Sequence, residues 1–285
     1  MDPLITIITP SFEQARFLRA CIDSVLSQDY PNLEYLVMDG GSTDGSIDIL
    51  KSYGDRIVLS TGPDGGQAAA INSGMRQSRG AILGFLNSDD VLLPGALRAV
   101  ADAYSSNPDV DVIYGDAELI DESGEVFGTY PTQTFDQATF AADCYICQPA
   151  AFWRRETQHE FGLLDESLHS ALDYEYWIRI ARSGGRFFHL KSTLAQARDY
   201  PETKTRSDRA RAFREIFAIS RRHLGSVHPR WIDCYLTHIR FDTDKWWRGL
   251  IPRKEKRRRK LVHLIWFLSS MPSRRHNPRL PLGES

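Results

Sequence analysis

The chain begins with an alternation of short apolar runs and helix-like segments, and this alternation limits the fold more than any other feature of the sequence. Between the runs, apolar residues recur at the spacing of one helical face, as Phe17, Cys21 and Val25 do. The runs are short and rich in β-branched side chains, which is typical of buried strands. They cover residues 4–8, 34–38, 57–59, 81–86 and 110–114. Strands that alternate with helices predict an α/β fold with a mostly parallel sheet.

The second half of the chain predicts a mixed sheet. Residues 121–124 (Asp-Glu-Ser-Gly) suit a hairpin turn, so antiparallel strands should join the parallel ones. Further helices are predicted at residues 67–77, from Pro94 to about residue 104, at 173–182 and at 206–223. With 285 residues, 42% of them hydrophobic and 25% charged, the composition is that of a globular protein and excludes disordered and coiled-coil classes.

The net charge of −2 conceals two parts of opposite charge. Residues 204–285 hold 21 Lys and Arg against 7 Asp and Glu, a net charge of +14, and residues 1–203 carry the remaining −16. An acidic body that binds anionic ligands needs a metal ion or backbone amides, whereas a basic tail suits phosphate groups. We therefore expect a folded body at residues 1–224 and a separate basic extension at 225–285.

Neither a disulfide framework nor a secretion signal is expected. Four cysteines in a chain of this length do not form such a framework. The CxxC pair Cys144 and Cys147 lacks the second pair or the nearby histidines that a zinc site needs, so we expect reduced, partly buried thiols. No basic segment or small-residue cleavage site accompanies the first apolar run.

Each of the first four predicted strands ends in polar residues. In a parallel α/β sheet the carboxyl ends of the strands meet at one edge, and ligands bind there. The polar ends are Thr9-Pro10-Ser11, residues 39–46 (Asp-Gly-Gly-Ser-Thr-Asp-Gly-Ser), residues 62–67 (Gly-Pro-Asp-Gly-Gly-Gln) and Asn87-Ser88-Asp89-Asp90. We expect these four ends to converge on one cleft.

Asp89 and Asp90 are adjacent carboxylates at the exit of a buried strand, where two unpaired charges are unfavourable. A hard divalent cation removes that penalty, and Mg²⁺ or Mn²⁺ takes few carboxylate oxygens and leaves positions for substrate phosphates. The alternative is a helix N-cap ahead of Pro94. The other polar strand ends favour the metal site.

The glycine-rich turn that begins at Asp39 does not match a dinucleotide-binding loop, because Gly40, Gly41 and Gly45 lack the G-x-G-x-x-G spacing. Asp39 is instead placed to accept a hydrogen bond from a nucleobase edge, with the glycines allowing close approach of the backbone. The structural alternative is a cap for a helix near Ser46.

A series of motifs extends from about residue 4 to residue 182: Thr9-Pro10-Ser11-Phe12, the turn at residues 39–46, Asp64-Gly65-Gly66-Gln67 with Asn72 and Gly74, Asn87-Ser88-Asp89-Asp90, and Asp173-Tyr174-Glu175-Tyr176-Trp177-Ile178-Arg179. With these motifs the chain resembles a family 2 glycosyltransferase of the GT-A fold, the inverting, nucleotide-sugar-dependent type of bacterial polysaccharide synthesis. The resemblance implies a Rossmann-like, mostly parallel or mixed sheet flanked by helices. Residues 1–120 would bind the nucleotide sugar, and residues 121–224 would bind the acceptor.

The resemblance also implies a role for each matching residue. Asp39 would bond the uracil or thymine imide, Asp89 the ribose or sugar hydroxyls, and Asp90 the metal that bridges the two phosphates. Asp173 matches the acidic residue that acts as the base in the family. The implied donor-binding set is Thr9, Pro10, Ser11, Glu13, Asp39, Asp64, Gln67, Asn72, Asn87, Ser88 and Asp89, and the implied metal ligands are Asp90 and Asp89.

Asp173 also has a physical argument in its favour. Inversion at an anomeric carbon needs one group to take the proton of the acceptor hydroxyl on the face opposite the departing diphosphate. Asp173 begins a predicted helix, whose N-terminal dipole keeps a carboxylate ionised, and Glu175 would point elsewhere. An ordinary N-cap is the alternative. His169 and His189 lack partners at useful spacing, so we place both outside the site.

The chain departs from the family pattern at two positions. Asn87 occupies the place of the first Asp of the metal motif, which leaves the division of roles between Asp89 and Asp90 open. Tyr200 lies near the position of a histidine that can complete the metal shell in many relatives. Either Asp199 or water would then supply the third ligand.

The basic extension predicts a helical segment that contacts an anionic membrane surface. Residues 253–260 carry seven cations, and the mostly apolar run at 261–268 falls short of the ~20 residues that span a bilayer. Together with Trp246 and Trp247, residues 246–268 can lie in the headgroup layer while the cations bind anionic lipid. The alternatives are a basic helix packed on the acidic body and RNA binding, which no recognisable RNA-binding module supports.

The combined prediction is a metal-dependent inverting glycosyltransferase that uses Mn²⁺ or Mg²⁺ and a UDP- or dTDP-sugar. Its acceptor would be a glycan or lipid-linked hydroxyl at the cytoplasmic face of the cell membrane, with no nucleic-acid partner. One alternative is a sugar-1-phosphate nucleotidyltransferase, which needs a basic, Gly-rich loop where residues 9–16 offer only Arg16. The other is a nonenzymatic nucleotide- or membrane-binding scaffold. Neither the sugar, the linkage nor the oligomeric state follows from the sequence.

Overall fold

The structure is a computed structural model that describes residues 2–242, so the predicted membrane segment at 246–268 lies outside the described residues. The strands are β1 (Ile5–Ser11), β2 (Leu33–Asp39), β3 (Val58–Thr61), β4 (Ile82–Phe85), β5 (Val91–Leu92), β6 (Val112–Ile120), β7 (Val126–Thr129), β8 (Ala151–Arg154) and β9 (Phe187–Arg198). The helices are α1 (Ala15–Leu26), α2 (Ser46–Lys51), α3 (Gln67–Gln77), α4 (Ala96–Ser106), α5 (Gln137–Phe140), α6 (Arg155–Phe161), α7 (Leu172–Arg182), α8 (Lys204–Ser207), α9 (Arg209–Leu224) and α10 (Pro229–Asp242). None of these helices is both long and apolar enough to cross a bilayer.

The strands of the described part form one mixed sheet in the order β3-β2-β1-β4-β8-β6-β9-β5, with β7 beside β6. The first four in this order are parallel neighbours, as the alternation of apolar runs and helices predicts. β8 is antiparallel to both β4 and β6, and β9 is parallel to β6 but antiparallel to β5. The predicted mixed α/β sheet is therefore confirmed.

Local turn chemistry explains where two elements begin and end. Asp121 Oδ1 accepts the N–H groups of Ser123 and Glu125 at 2.8 and 3.0 Å, which closes the predicted hairpin between β6 and β7. The helix predicted to open at Pro94 starts later, at Ala96. Gly95 has a φ of +80°, a left-handed conformation that cannot belong to the helix.

Apolar side chains fill both faces of the sheet. Ile7 and Ile8 are adjacent on β1 and fully buried, but they belong to different core clusters because successive strand residues point to opposite faces. Ile7 shares its cluster with Leu18 of α1, and Ile8 shares the other with Ile71 of α3 and Trp177 of α7. Burial on both faces accounts for the continuous apolar runs of the first strands.

The core continues past residue 224, where we expected the folded body to end. Val227, Trp231 and Ile232 are buried in the same cluster as α7. The Trp231 Nε1–H donates to the carbonyl of Ala141 at 3.1 Å, and its ring lies 5.6 Å from the ring of Tyr174. The start of α10 is therefore part of the packed body.

Candidate functional site

The carboxyl ends of β1, β2, β3 and β4 lie side by side, as their polar ends predict. Ser11 at the end of β1 pairs with Asp39 at the end of β2, and Asp39 pairs with Thr61 at the end of β3. Ser11 and Pro10 before it are both buried, and Ser11 Oγ donates to Asp39 Oδ2 at 3.0 Å. We call this edge of the sheet, with the turns that follow β2, β3 and β4, the polar edge.

Asp39 is only 2% exposed and organises the turn that follows β2. Its Oδ1 accepts the backbone N–H groups of Gly41 and Ser42 at 3.0 and 2.8 Å. Its Oδ2 accepts the hydroxyl of Ser42 at 2.8 Å in addition to that of Ser11. Asp39 therefore holds the glycine turn against the end of β1.

Two further carboxylates support the same turn. Glu13 Oε1 accepts the backbone N–H of Thr43 at 2.7 Å and its hydroxyl at 3.0 Å. Asp44 Oδ1 accepts the N–H of Ser46 at the start of α2 at 3.0 Å. Asp44 therefore supplies the side-chain acceptor at the start of α2, so Asp39 is not the cap of that helix.

Gly40 is where the turn after β2 meets the turn after β3. A Cβ atom on Gly40 would lie 3.1 Å from Asp64 Oδ2 and 3.2 Å from the ring of Phe12, so a glycine lets both groups approach the backbone. Asp64 Oδ1 also accepts the N–H of Gly66 at 2.8 Å. Phe12 keeps 61% of its surface exposed, which leaves an aromatic face open beside the turn.

Two residues predicted to contact the donor lie in the core instead. Thr9 is fully buried on the α1 side of the sheet, and its hydroxyl hydrogen-bonds to the hydroxyl of Tyr35 at 3.0 Å. Asn72 is 1% exposed. Its Nδ2 donates to the Leu164 carbonyl at 2.9 Å and to Glu166 Oε1 at 2.8 Å, and its Oδ1 accepts the Leu164 N–H at 2.9 Å. Both side chains are used for packing, because burial and these bonds leave them no access to the polar edge.

Asp90 is buried, and both of its carboxylate oxygens are engaged. Oδ1 accepts the backbone N–H of Arg198 at 2.9 Å, and Oδ2 accepts Nδ2 of Asn87 at 3.2 Å. Burial and the charge of neighbouring Asp89 raise the pKa of Asp90 well above its usual value. Asp90 therefore joins the turn after β4 to the end of β9.

Asp89 is the more exposed carboxylate of the pair. Its Oδ2 accepts the hydroxyl of Tyr200 at 2.9 Å. Burial raises the pKa of Asp89, and the hydrogen bond from Tyr200 opposes that rise. Tyr200 is held in turn by Phe17, whose ring centroid lies 5.1 Å from its own.

The side chain of Arg198 also holds the turn after β4. Its Nε donates to the Asp89 carbonyl at 2.9 Å, and its Nη1 donates to the Asp121 carbonyl at 2.7 Å. Its guanidinium carbon lies 4.5 Å from the ring centroid of Phe17. No motif in the sequence predicts this role of Arg198, since its contacts come from distant parts of the chain.

A chain of polar side chains crosses the polar edge from α3 to α8. Gln67 Nε2 donates to Asn87 Oδ1 at 2.6 Å, and Gln67 Oε1 accepts Lys204 Nζ at 2.7 Å. Asn87 Nδ2 also donates to Gln148 Oε1 at 3.0 Å, while Ser88 is buried beside it. The structure thus brings the predicted Gln67 and Asn87 together and adds Lys204 and Gln148. No motif marks Gln148 in the sequence.

Asp173 is the second residue of α7. Burial raises the pKa of its carboxyl to about 6, although the backbone N–H groups at the start of the helix oppose the rise. Burial also raises the pKa of the free Cys147 thiol, and the charges of Asp90 and Asp173 raise it further. One thiol therefore lies within electrostatic reach of both carboxylates.

Asp89 is the carboxylate of the turn after β4 that stays accessible to a divalent cation. Residues 2–242 contain no group of three His, Cys, Asp or Glu side chains arranged to hold a metal ion. Asp199, one candidate for a third ligand, pairs instead with Arg206 at 3.4 Å. The partly exposed carboxylate of Asp89 still suits Mg²⁺ or Mn²⁺, because these ions commonly use one or two carboxylates together with substrate phosphates.

His169 and His189 have partners away from these carboxylates. His189 Nε2 lies 2.8 Å from Asp116 Oδ1, and its ring stacks on Tyr114 with centroids 5.1 Å apart. The backbone N–H of His169 donates to Glu215 at 3.0 Å. The bond of His169 is made by its backbone and does not involve the imidazole ring.

The sequence matches a family model described as Glycosyl transferase family 2 over residues 6–156. It is 30% identical over 200 residues to an uncharacterised glycosyltransferase of Rickettsia prowazekii, a match that covers 66% of this chain and 61% of that protein. It is also 30% identical over 203 residues to the O-antigen biosynthesis protein RfbC of Myxococcus xanthus, covering 69% of this chain and 16% of that protein. The matched part is thus less than two thirds of either relative.

Solved structures share the fold. S. aureus TarS 1–349 in complex with UDP matches with a TM-score of 0.66 at 17% identity, covering 94% of this chain and 81% of that one. The mannosyltransferase PcManGT from Pyrobaculum calidifontis, in complex with GDP-Man and Mn²⁺, matches with a TM-score of 0.57 at 17% identity, covering 94% and 70%. At such identities the likeness shows the fold alone, and it confirms the GT-A architecture. Since the family model covers more than half of the sequence, the chain belongs to glycosyl transferase family 2.

Proposed function

We propose that the chain transfers a sugar from a UDP- or dTDP-linked donor to a hydroxyl of a glycan or lipid-linked acceptor, with inversion, in the synthesis of a bacterial cell-surface polysaccharide. The observation that carries this proposal is the polar edge, where Asp39 and the Asp89-Asp90 turn follow β2 and β4, the parallel strands on either side of β1. The charges of Asp90 and Asp173 both act on the Cys147 thiol. Family membership supports sugar transfer. The name of the Myxococcus relative supports a polysaccharide product.

The nucleobase would lie at the turn after β2. The exposed ring of Phe12 offers a stacking surface, and Gly40 leaves the backbone open beside it. Asp39 already accepts four hydrogen bonds, two of them from the hydroxyls of Ser11 and Ser42. Hydroxyl hydrogens rotate, so either serine can release a lone pair of Asp39 to the imide N–H of uracil or thymine.

Asp89 is the better candidate for the metal ligand, and Asp90 for the residue that holds the turn. Both oxygens of buried Asp90 are bound to Arg198 and Asn87, whereas Asp89 is partly exposed with Tyr200 on one oxygen. A bound Mg²⁺ or Mn²⁺ would neutralise charge on the diphosphate leaving group. PcManGT in complex with GDP-Man and Mn²⁺ supports this choice of ion.

Asp173 is proposed as the base. It takes the proton from the acceptor hydroxyl as that oxygen forms a bond to the anomeric carbon. The bond from this carbon to the diphosphate oxygen breaks at the same time, and the nucleoside diphosphate leaves with both electrons. A pKa of about 6 suits the role, because the carboxyl is ionised at neutral pH yet basic enough to accept a proton.

The nucleotidyltransferase alternative gains no support from the N-terminal loop. Arg16, the one cation at residues 9–16, lies over the rings of Phe17 and Tyr200 and pairs with Glu122. A residue engaged in this way is not a free phosphate ligand. The nonenzymatic scaffold is disfavoured because binding alone requires neither a metal ligand at Asp89 nor a base at Asp173.

The acceptor is assigned to residues 121–224 and the membrane contact to residues 246–268, so the protein would work in the cytoplasm at the inner face of the cell membrane. The order of the motifs supports the first assignment, and the basic and aromatic composition of the extension supports the second. The acceptor would approach from the side of α7, since Asp173 must reach its hydroxyl.

The experiment offers a panel of nucleotide sugars together with a lipid and glycan extract, and analyses the products by mass spectrometry. We expect a product heavier by one sugar residue and release of UDP or dTDP. In a parallel reaction that contains UTP or dTTP and a sugar 1-phosphate, release of pyrophosphate with formation of a nucleotide sugar would support the nucleotidyltransferase. Nucleotide binding without any turnover would support the scaffold.

A further inference from the structure

Glu215 belongs to α9, but its carboxylate binds the backbone that precedes α7. Oε1 accepts the N–H of His169 at 3.0 Å, and Oε2 accepts the N–H groups of Ser170 and Ala171 at 2.8 and 3.0 Å. The side chain is 11% exposed. Burial favours a raised pKa for Glu215, but these three donors and Arg211 outweigh it and lower the pKa. The carboxylate is therefore ionised at neutral pH, and each of its oxygens accepts two hydrogen bonds.

The three N–H groups stand at the start of the helix that carries Asp173. α7 begins at Leu172, directly after Ala171, and the Ala171 carbonyl accepts the N–H of Glu175 at 3.0 Å. Only Leu172 separates Ala171 from Asp173. Because each residue adds only two soft torsions to a planar backbone, fixing the peptides at 169–171 fixes the first turn of α7.

Other side chains hold the loop further upstream. Asn72 binds the backbone of Leu164, and Arg179 donates to the Leu163 carbonyl at 2.7 Å. Asp165 accepts the N–H of Ser167 at 3.0 Å. These contacts end at residue 167, so Glu215 supplies the side-chain contacts for the segment next to α7.

We propose that Glu215 is a positioning residue that sets the place and direction of Asp173 through the backbone N–H groups of residues 169–171. The inference rests on the proposed role of Asp173 as the base. Proton transfer and sugar transfer must coincide, and a displacement of about 1 Å in such a site lowers the rate by roughly 100-fold. Three hydrogen bonds to one ionised, largely buried carboxylate supply the required rigidity.

This role differs from simple packing of α9 against α7 in what it does to the kinetics. A packing contact changes the melting temperature and the amount of folded enzyme. A positioning residue also lowers the turnover of each folded molecule, while the donor site at the polar edge, built from other elements, keeps its affinity.

The test compares Glu215→Ala and Glu215→Gln with Asp165→Asn in the full chain. Asp165 is the matched control, because it also links this loop to α9, through Arg222 at 2.6 Å, but contacts none of the three N–H groups. For Glu215→Ala we expect kcat to fall by roughly 10- to 100-fold with UDP affinity unchanged. Glu215→Gln keeps one acceptor oxygen, so its loss should be smaller. Hydrogen exchange at residues 169–171 should quicken in both Glu215 variants and not in the control.

Faster exchange at residues 169–171 with wild-type kcat would overturn the positioning role. Should Glu215→Ala fail to fold, the Gln variant decides the question by the same criteria. An equal loss of kcat in Asp165→Asn would also overturn it, since any weakened loop would then have the same effect. A fully active Asp173→Asn variant would instead refute the proposed base, whatever the exchange data show.

Discussion

The hydroxyl of Tyr200 donates a 2.9 Å hydrogen bond to Oδ2 of Asp89, and this bond fixes the more exposed carboxylate of the Asp89-Asp90 turn. Tyr200→Phe removes the hydroxyl and keeps the ring that packs on Phe17. A hydrogen bond to a charged group contributes about 1.5–3 kcal/mol, so we expect UDP binding in the presence of Mn²⁺ to weaken by roughly tenfold or more. Isothermal titration calorimetry measures this, and an affinity equal to that of the wild type would contradict it.

The two carboxylates of the turn should respond differently to substitution. Asp89→Asn should abolish the Mn²⁺-dependent part of UDP binding. It should leave the melting temperature nearly unchanged, because the asparagine oxygen can still accept the hydroxyl of Tyr200. Asp90→Ala should lower the free energy of unfolding by about 1–3 kcal/mol, because it leaves the Arg198 N–H and the Asn87 amide without their acceptor. Calorimetry and thermal melts on both variants test the assignment. The reverse pattern would make Asp90 the metal ligand.

Asp173→Asn should lower the turnover of sugar transfer by roughly 10²–10⁴-fold, since the amide cannot accept the proton. Donor affinity should stay the same, because Asp173 lies on α7 and not on the turns that we propose to bind the nucleotide. Asp48→Asn on the exposed face of α2 is the matched control and should behave as the wild type. Near-normal turnover in Asp173→Asn would move the base elsewhere.

The raised pKa of Asp173 predicts the pH dependence of turnover. The carboxyl must be ionised to accept a proton, and burial raises its pKa to about 6, so kcat should fall as the pH drops through this value. A base with the ordinary aspartate pKa would remain active to about pH 4. The measurement is kcat at saturating donor and acceptor between about pH 5 and 8. An identical acid limb in the residual activity of Asp173→Asn would show that another group causes it.

Deletion of residues 253–268 should release the protein from anionic vesicles. Each of the seven cations at 253–260 contributes about 1 kcal/mol near an anionic surface, and the deletion also removes the apolar run that follows. Flotation with vesicles that contain phosphatidylglycerol measures the effect, and neutral phosphatidylcholine vesicles are the control. Continued flotation of the deletion variant would disprove membrane contact through this segment. UDP affinity should not change.

The parts of the fold that repeat locally were predictable from the sequence. Apolar spacing predicted the first four strands, α3 and the helix that carries Asp173. The geometry of a parallel sheet predicted that the polar ends of these strands would meet at one edge. Thr9 shows the limit of this reasoning. Strands buried on both faces have no polar alternation, so the motif alone placed Thr9 in the cleft, whereas its side chain packs with Tyr35 under α1.

The partners of the site residues could not be predicted, because they come from distant parts of the chain. Asp90 and Arg198 are 108 positions apart, and their bond depends on how β9 pairs with β5 and β6. Asn72 was assigned to the donor by its motif, yet it lies on the buried side of α3 and binds the backbone of Leu164. Spacing along the sequence identifies which side chains are polar, but tertiary pairing decides what they bind.

The link between β9 and the turn after β4 sets an order of events during protein synthesis. A ribosome that has translated the first 120 residues has produced every carboxylate of the polar edge, but not Arg198 or Tyr200, which hold the Asp89-Asp90 turn. Nascent chains therefore cannot complete the polar edge, the proposed nucleotide site, until β9 has left the exit tunnel and paired. Unfinished polypeptides would consequently not sequester activated sugars from the cell.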